Sequence, residues 1–344
     1  MNRQVFFLKD SRINDWLVEG FSNRDFPVQF IGMTNPAELM SMSRVRRILS
    51  LHARYINVSL KGLLRSRKGD VLICFLDVMG LYLFLISRSL FKKREIVAVN
   101  IMFNDGQDFL TSIKKVLFKT MLKSRHVYPT VTSSELPETY RRIFRIPGKE
   151  FSIVNDCYGN LGKPGFSPSD GNNVFSGGIN GRDWKTLVAA AGLLPDIRFI
   201  MVGPRHDSLG STIPSNIEYY YNLPDDEFRR LMLASGIIAL PLNTEAPAGL
   251  IVLFTAGLMH KPVVSTNNIT MREYITSGES GYLVGMGDHK ALALRIRELH
   301  SDQELRKRIG ENLFSKVAES GSPEVYIDKL ISIVKGIDSD YKAI

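Results

Sequence analysis

Short apolar runs alternate along this chain with longer stretches in which apolar residues recur at helical spacing. In the first half the runs are Val5 to Leu8, Val28 to Ile31, Val71 to Phe75, Ile96 to Ile101, Val127 to Thr132 and Phe151 to Val154. Such alternation predicts strands linked by covering helices, the pattern of a parallel sheet. Between Gly159 and Asn173 the sequence collects Gly, Pro, Ser and Asn with few large apolar residues, as an interdomain linker does. The alternation restarts with Asn173 to Ser176, Arg198 to Val202, Ile217 to Tyr221, Gly236 to Leu240, Pro262 to Ser265 and Gly281 to Val284. Three helices are predicted to close the chain, Asp288 to His300, Asp302 to Ser320 and Ser322 to Lys335, each opening on residues suited to an N-cap or first turn.

The pattern therefore predicts two α/β domains, each a doubly wound, Rossmann-like parallel sheet, facing a cleft. The expected boundaries are 1–160 and 161–324, with the closing helix, about 325–344, a candidate to pack back on the first domain. A length of 344 residues suits two cores better than one, and 44% hydrophobic with 23% charged residues excludes wholesale disorder. In sheets of this kind ligands bind beyond the carboxyl ends of the strands, so the strand-to-helix turns are the places to search.

Charge divides the chain. Through Asn160 there are 25 basic and 14 acidic side chains; beyond it there are 19 and 21. The whole net charge of +9 therefore belongs to the first half. From Leu39 to Gly69 there is no acid but eight cations: Arg44, Arg46, Arg47, Arg54, Lys61, Arg65, Arg67 and Lys68. Val45, Ile48, Leu49, Tyr55, Ile56, Leu60 and Leu63 recur near helical spacing among them, and this apolar stripe is expected to pack on the sheet. The charges on its other side suit an anionic membrane surface. No reader motif or aromatic platform accompanies them, so nucleic acid is not an expected partner.

Cys74 and Cys157 are far apart and lack metal or redox spacing, which suits a reducing compartment. Met1 to Arg12 holds only a four-residue apolar run, and Val71 to Ile86 is interrupted by Asp77 and too short to cross a bilayer. The expected location is cytoplasmic, peripheral to the inner face of the cell membrane.

Two turns carry the candidate chemistry. In PLNTEAPAGLIVLFTAGLMHKP, Pro247, Ala248, Gly249 and Leu250 open a helix whose first amides and dipole favour an anion such as a diphosphate. Thr255 lies about 9 Å further along that helix, where its hydroxyl would reach a ribose or instead bond back to the helix. In FSGGINGRDWKTL, Gly177 and Gly178 let backbone approach a ligand, while Arg182 and Lys185 offer positive charge. Arg182 is equally placed to pair with Asp183. A third candidate is Tyr221 with Asn222, at the end of a strand, suited to stack on and hydrogen-bond a base. Asp338-Ser339-Asp340 is the one DxD sequence, and its position at the tail argues against a metal site.

The order of SGGINGRDW, IRFIMVG, ASGIIALPL, AGLIVLFTAGLMHKPVVST, REYITSGESGYLV and GDHKALALRIRELHSDQELRKRIGENL resembles the nucleotide-sugar-binding domain of family 4 glycosyltransferases, of the "glycosyl transferases group 1" type. The resemblance spans about Asn173 to Val317; TVTSSELPETYRRIF matches more loosely. It implies the GT-B fold and transfer of a sugar from a nucleoside-diphosphate sugar to an acceptor held by the first domain. A glycan or lipid-linked oligosaccharide of cell-surface polysaccharide, lipopolysaccharide or capsule biosynthesis would be that acceptor, with retention of configuration and neither metal nor other cofactor. Members often carry two glutamates eight positions apart in the helix-opening turn. Counting back from Lys261-Pro262 places these at Pro247 and Thr255, so neither carboxylate is present; Glu245 is the candidate substitute for the earlier one and, with Arg182, the candidate catalytic pair. The histidine common after a first-domain strand is absent from VNIMFND. Two other readings stay open: a non-catalytic GT-B partner in a glycan-assembly complex, and a nucleotide-sugar epimerase.

Overall fold

The computed structural model describes residues 3–33, 42–103, 105–106, 108–159, 161, 171–204, 213–245 and 247–342. The chain forms two compact units, Met1–Asn155 with Pro323–Ile344, and Asp156–Ser322. Most of the Gly- and Pro-rich stretch 159–173 lies outside the described residues.

In the first unit six strands, β1 (Val5–Leu8), β2 (Val28–Ile31), β3 (Val71–Cys74), β4 (Glu95–Ala98), β5 (Val127–Val131) and β6 (Ser152–Ile153), form one parallel sheet in the order β2-β1-β3-β4-β5-β6. Every residue of β1, β3 and β4 is buried, the mark of a sheet covered on both faces. The connecting helices are α1 (Asp15–Ser22), α2 (Arg44–Arg65), α3 (Asp77–Ser89), α4 (Phe109–Leu122) and α5 (Leu136–Phe144).

The second unit repeats the plan with β7 (Val174–Gly177), α6 (Trp184–Gly192), β8 (Phe199–Gly203), β9 (Ile217–Tyr221), α7 (Asp225–Leu233), β10 (Ile237–Leu240), α8 (Leu250–Leu258), β11 (Val263–Thr266), α9 (Ile269–Tyr274) and β12 (Tyr282–Val284). α10 (His289–Ser301) and α11 (Gln303–Ser320) complete it, and α12 (Pro323–Lys342) belongs to the first unit. The second sheet runs β12-β11-β10-β7-β8-β9, all parallel. Its core lies on both faces, with Phe199, Ile237, Leu292 and Ile296 on one and Phe175, Ile238, Leu253 and Leu313 on the other.

The closing helix is anchored on α1. Trp16 meets Tyr326 edge-on with ring centroids 5.9 Å apart, and Arg24 pairs with Asp328. A side chain at Gly20 would lie 1.9 Å from Ile327 Cδ1, so the helices meet at this depth because residue 20 has none.

The structure corrects one expectation. Of the apolar stripe of α2, Leu63 is buried, as is Val58 nearby, Tyr55 and Leu60 are half-buried, and Ile56 is 37% exposed. Val45, Leu49 and Ile48 are 67%, 63% and 44% exposed. The reason is length: a helix of 22 residues runs about 33 Å, whereas a four-residue strand spans about 13 Å. The amino-terminal half of α2 therefore overhangs the carboxyl end of the sheet and, among the described residues, is not covered.

Candidate functional site

The second sheet changes direction at β7. Its chain leaves β7 towards β8 on one side and reaches β10 on the other, so the crevice between the carboxyl ends of β7 and β10 is the switch point where ligands of such sheets sit. The two turns singled out in the sequence both open there. They are stitched together by a β-bridge between Arg182 and Leu242, by Asp183 N donating to Pro241 O (2.9 Å) and by Asn243 N donating to Gly181 O (3.0 Å).

A cavity of about 590 Å³ fills the crevice, within the range of small-molecule sites. The glycine turn contributes Gly178, Ile179, Asn180 and Arg182 to its wall. The second turn contributes Pro247, Ala248, Gly249, Leu250 and, one helical turn beyond, Thr255.

Arg182 lines the cavity. It is only 8% exposed, and its guanidinium donates from Nε to Gly177 O (2.8 Å) and from Nη1 to Asn180 O (3.0 Å). Among the described residues no carboxylate pairs with it. Asp183, its alternative partner, instead caps α6 by accepting from Thr186 N (3.1 Å) and Thr186 Oγ1 (2.7 Å). Burial without a counter-charge lowers the Arg182 pKa to about 10, leaving the group cationic at neutral pH. A buried cation satisfied only by carbonyls retains a strong attraction for an incoming anion.

Gly249 lies against the same guanidinium. It is the N-cap of α8 with φ +81°, and a side chain there would sit 3.3 Å from Arg182 Nη1. Among the described residues no side chain caps this helix, and the amides of Leu250, Ile251 and Val252 have no acceptor. The positive end of the α8 dipole and the Arg182 charge thus converge on one cavity. Thr255 Oγ1 donates to Ile251 O (2.7 Å), the back-bonded arrangement, while its oxygen keeps lone pairs to accept.

The remaining sequence candidates stand outside the cavity lining. Gly177 ends β7 against Phe228, where a side chain would meet the ring at 2.5 Å. Lys185 is exposed on α6, and Tyr221 and Asn222 are exposed at the end of the edge strand β9. Glu245 is exposed and accepts from Ile269 N (3.2 Å) at the start of α9. Conversely, α7 supplies Asp225, Phe228 and Arg229, which the sequence reading missed. Their segment, DDEFRRLML, reads only as a short amphipathic helix; its place at the cavity depends on strand order. Among the described residues no cluster of three or more His, Cys, Asp or Glu is formed.

Residues 183–315 match the family described as "Glycosyl transferases group 1". The matched segment begins just beyond Arg182 and includes the whole α8 turn. Among curated proteins, the chain is 26% identical over 160 residues to the putative glycosyltransferase EpsD of Bacillus subtilis, covering 43% of this chain and 41% of EpsD. It is 33% identical over 78 residues to the capsular polysaccharide biosynthesis glycosyltransferase CapM of Staphylococcus aureus, covering 23% and 20%. It is 23% identical over 175 residues to the lipopolysaccharide core biosynthesis glycosyltransferase LpsE of Rhizobium meliloti, covering 49% and 51%. The matched segments thus span from 20% to 51% of the length of these relatives.

Solved structures agree along almost the whole chain. Sucrose-phosphate synthase from Thermosynechococcus elongatus superposes with a TM-score of 0.71 over 98% of this chain and all of its own, at 14% identity. Anabaena HepE in complex with UDP and glucose does so with a TM-score of 0.63 over 97% and 100%, also at 14% identity. The fold is GT-B, two six-stranded parallel sheets with flanking helices.

Proposed function

We propose that the protein is a glycosyltransferase that moves a sugar from a nucleoside-diphosphate sugar to a glycan acceptor in cell-surface polysaccharide biosynthesis. The observation that carries this reading is the buried, carboxylate-free guanidinium of Arg182, at the edge of the segment that matches group 1 glycosyltransferases, set against the amino end of α8 within that segment. A diphosphate placed there meets fixed donors on two sides. As the bond between the sugar's anomeric carbon and the diphosphate breaks, negative charge grows on the leaving oxygen, and preorganised donors of this kind stabilise it most where water is excluded. The acceptor hydroxyl forms the new bond and loses its proton, so the products are glycosylated acceptor, nucleoside diphosphate and a proton. Charge stabilisation by Arg182 and the α8 amides supports a reaction without a bound metal. The names of CapM and LpsE, and the UDP held by HepE, support the substrate classes.

The first unit supports a membrane-peripheral, cytoplasmic enzyme with a lipid-linked acceptor. Exposed Val45, Ile48 and Leu49 share the overhanging half of α2 with exposed Arg46 and Arg47. At the same end of the sheet, α4 begins with Phe109 and Leu110, 77% and 75% exposed. Apolar side chains among cations suit an anionic bilayer surface, where each cation contributes about 1 kcal/mol. Among the described residues no helix is long and apolar enough to cross a membrane.

A second reading, a donor-binding member without catalysis, is favoured by the neutral residues Pro247 and Thr255 at the positions where the resemblance expects carboxylates. Incubation with a panel of nucleoside-diphosphate sugars decides between them. Release of nucleoside diphosphate that depends on a glycan acceptor supports transfer; thermal protection by a donor without release under any acceptor supports the second reading. Absence of protection by every donor at saturation overturns both.

A further inference from the structure

A second cavity, of about 490 Å³, lies in the first unit at the amino ends of β4 and β5. Substrates of such sheets sit at the opposite, carboxyl end, so this site is independent of the transferase reading.

Its inner wall is apolar, with Phe84, Ile96 and Val127 all buried. Its other walls are cationic. Arg94 is 8% exposed and donates from Nε to Ser66 Oγ (2.9 Å), from Nη2 to Ser66 O (2.8 Å) and from Nη1 to Lys93 O (2.9 Å). Arg88 and Lys93 stand exposed beside it. Among the described residues none of these three cations forms an ion pair. Two acids are near: Asp70, which attracts Arg94 electrostatically, accepts from Gln4 N (3.0 Å) and Arg67 N (2.6 Å), and Glu95 is turned to His126, whose Nδ1 lies 2.9 Å from Glu95 Oε1. The cavity therefore keeps an excess of positive charge around an apolar wall.

Phe91 provides an independent observation. It terminates α3 in a Schellman arrangement, with Phe91 N donating to Arg88 O (3.2 Å) and Lys92 N donating to Ser87 O (2.8 Å). The residue at this position adopts φ +53°, which favours glycine, yet here it is a phenylalanine that is 94% exposed and lines the cavity. The chain bears both backbone strain and an exposed ring at the mouth of this cavity, a combination expected where the ring contacts a ligand.

We propose that this cavity binds an amphiphilic anion, an alkyl or aryl body ending in a phosphate or carboxylate. The body packs on Phe84, Ile96, Val127 and the Phe91 ring, while the head group meets Arg88, Lys93 and Arg94. Calorimetric titration of the full chain with octyl phosphate, below its micelle concentration, is expected to give saturable binding at one site. Inorganic phosphate and octanol should each bind at least tenfold more weakly. The double variant Arg88→Glu, Lys93→Glu should lose at least tenfold in affinity with an unchanged melting temperature. Phe91→Gly should weaken binding at least threefold while raising the melting temperature. In the unaltered protein, octyl phosphate should protect Lys93 from amine acylation, read by peptide mass spectrometry. Displacement of octyl phosphate by vesicles containing phosphatidic acid supports a bilayer source for the ligand, and failure to displace it supports a soluble one. Absence of saturable binding, unchanged affinity on charge reversal, or unprotected Lys93 would overturn the proposal.

Discussion

The guanidinium of Arg182 packs on the backbone of Gly178 so closely that a side chain there would lie 2.6 Å from Nη2. Gly178 also has φ +112°, outside the range of ordinary side-chain-bearing residues. Gly178→Ala should therefore displace Arg182 as well as strain the turn. Affinity for nucleoside diphosphate, measured by calorimetry, is expected to fall at least tenfold in protein that still folds. Unchanged affinity would show that the position of Arg182 does not matter to binding.

Arg182→Ala removes the buried charge itself. Hydrogen bonds to charged groups contribute about 1.5–3 kcal/mol, so nucleoside-diphosphate affinity should drop by about 10- to 100-fold. Arg182→Lys should recover little of it, because a lysine cannot reproduce two carbonyl contacts and still present a planar fork to phosphate. Equal affinity of the lysine variant and the parent would assign the attraction to net charge alone.

Asp77 offers a pH test in the first unit. It is 3% exposed, accepts from Met102 N at 3.0 Å, and burial pushes its pKa up to about 6. The folded chain thus holds this proton more tightly than the unfolded chain, and the stability it contributes is present below about pH 4 and lost as the pH rises through about 6. Asp77→Asn should escape that loss. Denaturant unfolding of both proteins from pH 4 to pH 7 is expected to show the variant gaining on the parent by up to about 3 kcal/mol. Parallel profiles would contradict this.

The overhanging half of α2 gives a separate readout. Ile48→Asp with Leu49→Asp changes exposed side chains only, so the melting temperature should hold within a degree or two, as is usual for surface positions. Co-sedimentation with anionic vesicles should fall severalfold, and for the parent it should weaken with salt. Sedimentation that ignores both the substitutions and the salt would count against a membrane-facing α2.

Much of the cavity lining in the second unit was legible residue by residue. Arg182, Gly178 and the Pro247-to-Leu250 turn all face the cavity, because a glycine turn and a small-residue helix start advertise themselves locally. Asp288 and Asp302 were readable as helix caps, and each accepts a backbone amide three residues on; Asp183, read as a partner for Arg182, caps α6 instead. Phe228 and Arg229 were not legible. Their helix has an ordinary amphipathic pattern, and it reaches the cavity only because β7 lies between β8 and β10. The exposure of Val45, Ile48 and Leu49 was missed for the converse reason: periodicity describes a helix's own face but not whether a neighbour extends far enough to cover it.

The amino-acid sequence by itself determined the alternation of strands and helices, the caps, the glycine turns and the concentration of positive charge in the first half. These follow from interactions reaching a few residues along the chain. Only the tertiary structure decided that the carboxyl ends of β7 and β10 would be neighbours, bringing Gly178 and Gly249 to either side of one guanidinium. Only it decided which cations would be buried without a carboxylate. Strand pairing and desolvation are set by contacts between distant segments, and no local pattern encodes them.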